Sequence, residues 1–154
     1  MTAKEFVINS VEAHRAEVWD VADRIWEYAE ISYEEYQSAA LLCEILEKEG
    51  FHIQKKLANM ETCFSASYGS GKPVIGLLGE FDALPELSQK RGALTMDPVC
   101  PHGAGHGCGH HALGAGCLAA ALAIKDLSLI HIFPDYKYRR PQRHCRRIPN
   151  PARY

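Results

Sequence analysis

The spacing of apolar and polar positions predicts helices in the first fifty residues. Apolar residues recur every three or four positions through residues 4–30, which predicts one long helix. A second helix is predicted from the apolar positions of residues 36–46. Ser32 followed by Glu35 is a capping-box pattern for its start, and Gly50 is placed to end it.

Shorter apolar runs follow, and after them comes a segment rich in alanine, leucine and glycine. Residues 52–57 and 63–68 are strand-like, and the continuous apolar run of residues 74–78 is typical of a buried central strand. Residues 83–107 are rich in proline and glycine and predict a long functional loop. A glycine-preceded helix is predicted over about residues 110–126. The pattern indicates an α/β fold with two N-terminal helices, a small mixed sheet and this last helix.

The length and composition fit one globular domain. The chain has 154 residues, of which 47% are hydrophobic, so it can bury a core. It contains no apolar run long enough to span a bilayer, and its first residues lack the apolar core of a signal peptide. We therefore expect no membrane association and a cytoplasmic protein.

Two carboxylates come directly after the predicted central strand. Glu80 and Asp82 share strand phase, so both could point to one side if the extended geometry continues. In open α/β sheets, ligands bind at the carboxyl ends of strands. The competing interpretation is an ordinary solvated strand terminus.

A dense group of metal-binding residue types precedes the last helix. Six nitrogen or sulfur donors fall within twelve residues: Cys100, His102, His106, Cys108, His110 and His111. Glycines between them let the backbone bend until several donors reach one ion. Thiolate and imidazole together favour zinc, with iron, cobalt or nickel as alternatives.

The two motifs together resemble a known family. GEFDALP at residues 79–85, followed by GHGCGHHALG at residues 105–114, is similar to the zinc-dependent aminoacylase and carboxypeptidase superfamily of metallo-amidohydrolases. The branch that it resembles most is the aminobenzoyl-glutamate utilisation hydrolases. The resemblance implies that residues 1–126 are the N-terminal part of a zinc-peptidase-like catalytic domain.

The resemblance also implies roles for individual residues. Cys108 and His110 match the metal ligands, and Asp82 matches the catalytic aspartate that orients and tunes the metal site. Glu80 stands where peptidase relatives carry a ligand histidine, and His111 stands where relatives carry Asp or Asn. The side chains expected around the ligands, without an assigned direct role, are Glu80, His102, His106 and His111.

The activity implied by the resemblance is hydrolysis of an amide bond by a metal-activated water. The expected substrate is a small N-acyl or aminobenzoyl amino acid, or a dipeptide. The expected cofactor is a divalent metal, zinc before manganese, cobalt or nickel. The family's general base is the first of two adjacent glutamates about thirty residues after the ligand motif, and that pair is absent here. We therefore expect an inactive N-terminal fragment of a parent that forms a homodimer through a further domain.

The charge balance changes abruptly at residue 127. Residues 1–126 contain 18 acidic and 10 basic residues, whereas residues 127–154 contain one acidic and seven basic residues. The second segment has no apolar periodicity, so we expect a non-homologous basic tail that is artefactual or disordered. A nucleic-acid-binding tail is the alternative, but no helical pattern would present its arginines on one face.

A small structural zinc module is the alternative to the amidohydrolase interpretation. It would use five of the donors around the glycines: Cys100, His102, His106, Cys108 and His110. Such a module would bind one metal tightly and lose its fold on chelation.

Overall fold

Four α-helices, one turn of 3-10 helix (Leu57–Asn59) and a two-stranded sheet account for the regular structure in residues 2–129, the range that this computed structural model describes. Nearly all of the predicted basic tail lies outside these residues, so its interpretation stays a prediction. The elements in chain order are α1 (Ala3–Ala13), α2 (Arg15–Tyr28), α3 (Tyr36–Lys48), β1 (His52–Lys55), β2 (Phe64–Ser67) and α4 (His110–Leu129).

The prediction of a single helix over residues 4–30 is wrong, because the helix is interrupted at His14, which separates α1 from α2. Side chains on both sides of the break contact α4. Ser10 donates a hydrogen bond to Asp126 over 2.6 Å, and His14 Nε2 lies 3.1 Å from the same carboxylate oxygen. Burial alone raises the pKa of Asp126, but the bonds from Ser10 and His14 outweigh it and lower that pKa.

The hydrophobic core lies between α2, α3 and α4. Val21 and Ile25 of α2 and Leu122 of α4 are fully buried, and burying an aliphatic side chain of this size contributes about 1.5–3 kcal/mol. Of the apolar positions that predicted the two N-terminal helices, Val21 and Ile25 are buried as expected, whereas Tyr36 is 57% exposed. The rest of the cluster is formed by Ala22, Leu41, Leu42, Ile45, Leu46, Ala115 and Leu118.

The start of α3 is stabilised by a residue that the sequence pattern did not indicate. Ser32 and Glu35 make no capping box, so that prediction is wrong. The carboxylate of Glu30 instead accepts hydrogen bonds from Gln37 N–H at 2.8 Å, and from Ser38 N–H and hydroxyl at 2.9 and 2.8 Å. An anion at a helix N-terminus also interacts favourably with the helix dipole.

We expect Glu30→Ala to lower the free energy of unfolding by about 1–3 kcal/mol, since it leaves the fully buried Ser38 without its partner. Urea unfolding followed by circular dichroism measures the change. Glu27→Ala is the matched control, because Glu27 is exposed on α2. An equal, small effect of both substitutions would contradict the capping role of Glu30.

The sheet contains only the first two of the three predicted strands. β1 and β2 pair antiparallel, with His52 opposite Ser67 and Lys55 opposite Phe64. The predicted buried strand over residues 74–78 is wrong, since Val74 and Leu78 are each 84% exposed and no strand forms there. Within residues 2–129 no neighbouring strand pairs with this run, and apolar character alone cannot replace backbone partners. The sheet is therefore antiparallel rather than mixed.

None of the helices within residues 2–129 combines the length and the apolar character needed to cross a membrane.

Candidate functional site

The long loop predicted before the last helix is present, and backbone hydrogen bonds hold it against the helical layer. Ala83 forms a parallel bridge with Ile31, and its N–H donates to the Glu30 carbonyl over 2.7 Å. Leu84 and Gly105 exchange two bonds of 3.0 and 2.9 Å. These bonds therefore hold the segment that contains Glu80 and Asp82 beside the glycine-rich segment that precedes α4.

Close packing against α4 places the segment that contains Glu80 and Asp82 beside the start of that helix. A methyl group added to Gly114 would lie 3.1 Å from the Phe81 side chain and 3.2 Å from the Glu80 carbonyl oxygen. The Cys117 thiol donates to the Leu78 carbonyl over 3.1 Å. Small residues on α4 thus allow residues 78–81 to pack directly on the helix.

This packing brings two carboxylates to one histidine. His110 Nδ1 lies 2.7 Å from Asp82 Oδ1, and His110 Nε2 lies 3.1 Å from Glu80 Oε2. The expectation that both acidic side chains point to one side is confirmed, although no strand forms there. Asp82 and His110 are partly buried, at 19% and 25% exposure, whereas Glu80 is 55% exposed.

The Asp82 carboxylate has a second partner on the opposite oxygen. Ser32 donates its hydroxyl hydrogen to Asp82 Oδ2 over 2.5 Å. Partial burial by itself raises the pKa of Asp82, but the bonds from Ser32 and His110 outweigh it and lower that pKa. Asp82 is therefore an anion at neutral pH, with both oxygens engaged.

Cys108 lies at the edge of this group. Its side chain is exposed, and Sγ is 3.9 Å from the backbone carbonyl oxygen of Asp82. Carboxylate, imidazole and thiol are the donors that zinc prefers, so the types of side chain present suit the implied metal. Across residues 2–129, however, no three such side chains are already arranged to hold an ion. The described residues thus supply part of a ligand set.

His106 is a core residue rather than a member of this group. It is 3% exposed, its Nε2 lies 2.9 Å from the Ile25 carbonyl oxygen, and its ring lies 6.2 Å from that of Trp26. Because a carbonyl oxygen can only accept, Nε2 carries the proton of this hydrogen bond, and Nδ1 has no partner within the described residues. Burial lowers the pKa of His106, which keeps the ring neutral. The His106 side chain therefore anchors the glycine-rich loop to α2 through the Ile25 carbonyl.

The remaining histidines point elsewhere. His111 packs edge-on against Trp26 with ring centroids 4.9 Å apart, and burial lowers its pKa. His102 is exposed in a turn at φ 60°. Cys100 is also exposed, and its N–H donates to Ser88 over 3.1 Å. The donors of the alternative zinc module are thus not assembled within residues 2–129.

Two residues that shape the site escaped sequence reasoning. Ser32 lies fifty positions before its partner Asp82, and no local pattern encodes a contact over that separation. Glu30 fixes the segment that contains Ser32, because its carboxylate binds the start of α3. The sequence indicated this role only by an acidic residue shortly before a helix.

No model of a protein family matches the chain. Over 120 residues, 78% of its length, it is 46% identical to one subunit of the p-aminobenzoyl-glutamate hydrolase of Escherichia coli (strain K12). The chain is related to the aminobenzoyl-glutamate hydrolases. The branch indicated by the two motifs is thereby confirmed. The chain spans 25% of the length of this hydrolase relative, so the activity, substrate and partners of a whole protein are proposals for the chain.

Proposed function

We propose that the chain contributes the N-terminal residues of a metal-dependent amidohydrolase active site. The observation that supports this most is the placement of His110 between two carboxylates, 2.7 Å from Asp82 and 3.1 Å from Glu80, with the Cys108 thiol nearby. An imidazole held on one ring nitrogen by a carboxylate is the usual arrangement of a metal-ligating histidine. In the parent protein the site would cleave the amide bond of an aminobenzoyl or N-acyl amino acid.

His110 Nε2 and the Cys108 thiolate would hold the metal, with zinc favoured over manganese, cobalt or nickel. Asp82 keeps the ring proton on Nδ1, so that Nε2 offers its lone pair. Glu80 is exposed enough to move away from Nε2 when the metal occupies that side. When bound, a divalent cation would supply a water of lowered pKa and polarise the scissile carbonyl.

The pair of adjacent glutamates that supplies the general base in the resembled family has no counterpart among the residues after His110. Asp126 and Asp135 are the only acidic residues after His110, and they are not adjacent. Asp126 is already engaged with Ser10 and His14. Hydrolysis needs a group that takes the proton of the attacking water, so we propose that the 154-residue chain alone is inactive.

The substrate and partners are proposed from the relative. Its name states that it belongs to a hydrolase of p-aminobenzoyl-glutamate and is one subunit of an assembly. A small aminobenzoyl or N-acyl amino acid is accordingly the proposed substrate of the parent protein. Assembly with another subunit or with a second copy through a further domain is the proposed quaternary arrangement. The five cysteines among the described residues are free thiols, which supports the cytoplasm as its compartment.

A hybrid protein tests this function. The 120 matched residues would replace their counterparts in the Escherichia coli hydrolase subunit, which supplies the remaining residues. We expect the hybrid to hydrolyse p-aminobenzoyl-glutamate and the isolated 154-residue chain to leave it intact, as measured by release of p-aminobenzoate. A folded hybrid without turnover, or turnover by the isolated chain, would contradict the proposal.

A further inference from the structure

We propose that Ser32 is a positioning residue for the Asp82–His110 pair. Its hydroxyl donates to Asp82 Oδ2 over 2.5 Å, while Asp82 Oδ1 lies 2.7 Å from His110 Nδ1. The two carboxylate oxygens have separate partners, so the carboxylate cannot rotate without losing one of them. This inference deepens the proposed function and rests on it for the purpose of the pair.

The backbone holds Ser32 in place from two directions. Ile31 forms the parallel bridge to Ala83, whose N–H donates to the Glu30 carbonyl over 2.7 Å. The Glu30 side chain is bound in turn to the N–H and hydroxyl of Ser38, at the start of α3. The Ser32 hydroxyl therefore lies beside the Asp82 carboxylate on a segment that is bound both to the loop at Ala83 and to the start of α3.

The hydrogen bond from Ser32 orients the Asp82 carboxylate more than it stabilises the fold. A short hydroxyl-to-carboxylate bond is charge-assisted, but Ser32 is exposed and water would replace its hydrogen bond if it were removed. Water would not fix the orientation of the carboxylate. With Oδ2 held, Oδ1 faces His110 and the proton of the neutral ring stays on Nδ1. The lone pair of Nε2 can then bind a metal ion once the Glu80 carboxylate, 3.1 Å away, moves aside.

The orientation can be measured in the full 154-residue chain without metal or substrate. Nitrogen-15 NMR of the His110 ring, assigned with His110→Gln, reports which nitrogen carries the proton of the neutral ring. We expect Ser32→Ala to lower the ratio of the Nδ1–H to the Nε2–H form about fivefold, the effect of losing one ordinary hydrogen bond. Ser32→Thr keeps a hydroxyl and should restore the wild-type spectrum.

Ser65→Ala is the matched control, because Ser65 is an exposed serine on β2. We expect it to leave the ring spectrum unchanged, and all three variants to unfold in urea near the wild-type midpoint. Zinc affinity, measured by competition with a chromophoric chelator, should fall about tenfold in Ser32→Ala only.

Unchanged ring signals in Ser32→Ala, or an equal change in Ser65→Ala, would overturn the positioning role. A wild-type chain that takes up no zinc contradicts the proposed metal site instead. The ring spectra then decide the role of Ser32 by themselves, so the failure of one proposal is distinguishable from the failure of the other.

Discussion

Replacing Gly105 with alanine should destabilise the chain by about 3 kcal/mol or more. A methyl group at this position would lie 1.9 Å from the Leu87 carbonyl oxygen and 2.5 Å from its carbon. These are backbone atoms, so no side-chain rotation relieves the overlap. The two hydrogen bonds between Leu84 and Gly105 must therefore break or shift.

Urea unfolding and amide hydrogen exchange measure the effect of the Gly105 substitution. Exchange at Leu84 should become fast, because its amide loses the Gly105 carbonyl. Gly116→Ala is the control: an added methyl group meets nothing within 4 Å there. Because Gly116 lies in a helix, alanine should stabilise the chain by about 0.5–1 kcal/mol. Destabilisation of similar size in both variants would contradict the close approach at Gly105.

Asp82→Asn in the hybrid hydrolase should reduce kcat/KM for p-aminobenzoyl-glutamate about 100-fold. The neutral amide keeps the size of the side chain but loses the charge that Ser32 and His110 both bind. Its NH₂ group can also turn toward His110, which would place the ring proton on the wrong nitrogen. Asp20→Asn is the control, because Asp20 is exposed on α2 and faces Arg24 across 3.8 Å. Equal activity of both variants would contradict the proposed role of Asp82.

The helices could be predicted from the sequence because their signal is local. The apolar spacing that predicted α3 reflects the face that buries Leu42, and the alanine- and leucine-rich segment that predicted α4 contains the fully buried Leu122. The break at His14 was missed, because apolar residues continue through it at helical spacing and its partner Asp126 lies far along the chain.

The strand predicted over residues 74–78 shows why sheets are harder to predict. A continuous apolar run is compatible with a central strand, but pairing depends on neighbours that the run does not specify. Val74 is exposed because nothing within residues 2–129 pairs with this segment. The loop that follows was predicted correctly, since its prolines and glycines act locally.

The candidate site was predicted in part, for a similar reason. Glu80 and Asp82 both face His110, as expected, although the strand on which that expectation rested does not form. The family resemblance indicated the partnership with the Cys-Gly-His motif. Residue types could not separate His106 from His110, because only burial against Ile25 shows that His106 is a core residue. Ser32 was misassigned, because a local capping pattern competed with a long-range contact to the site.

Zinc titration of the full chain tests the metal site most directly. One double variant, Cys108→Ser with His110→Ala, removes the two proposed ligands. The matched double variant, Cys100→Ser with His102→Ala, removes the same residue types from an exposed turn. We expect the wild-type chain and the second variant to bind one zinc ion reversibly with equal affinity, and the first to bind it at least about tenfold more weakly. Undiminished binding in the first variant, with loss in the second, would contradict the assignment of Cys108 and His110.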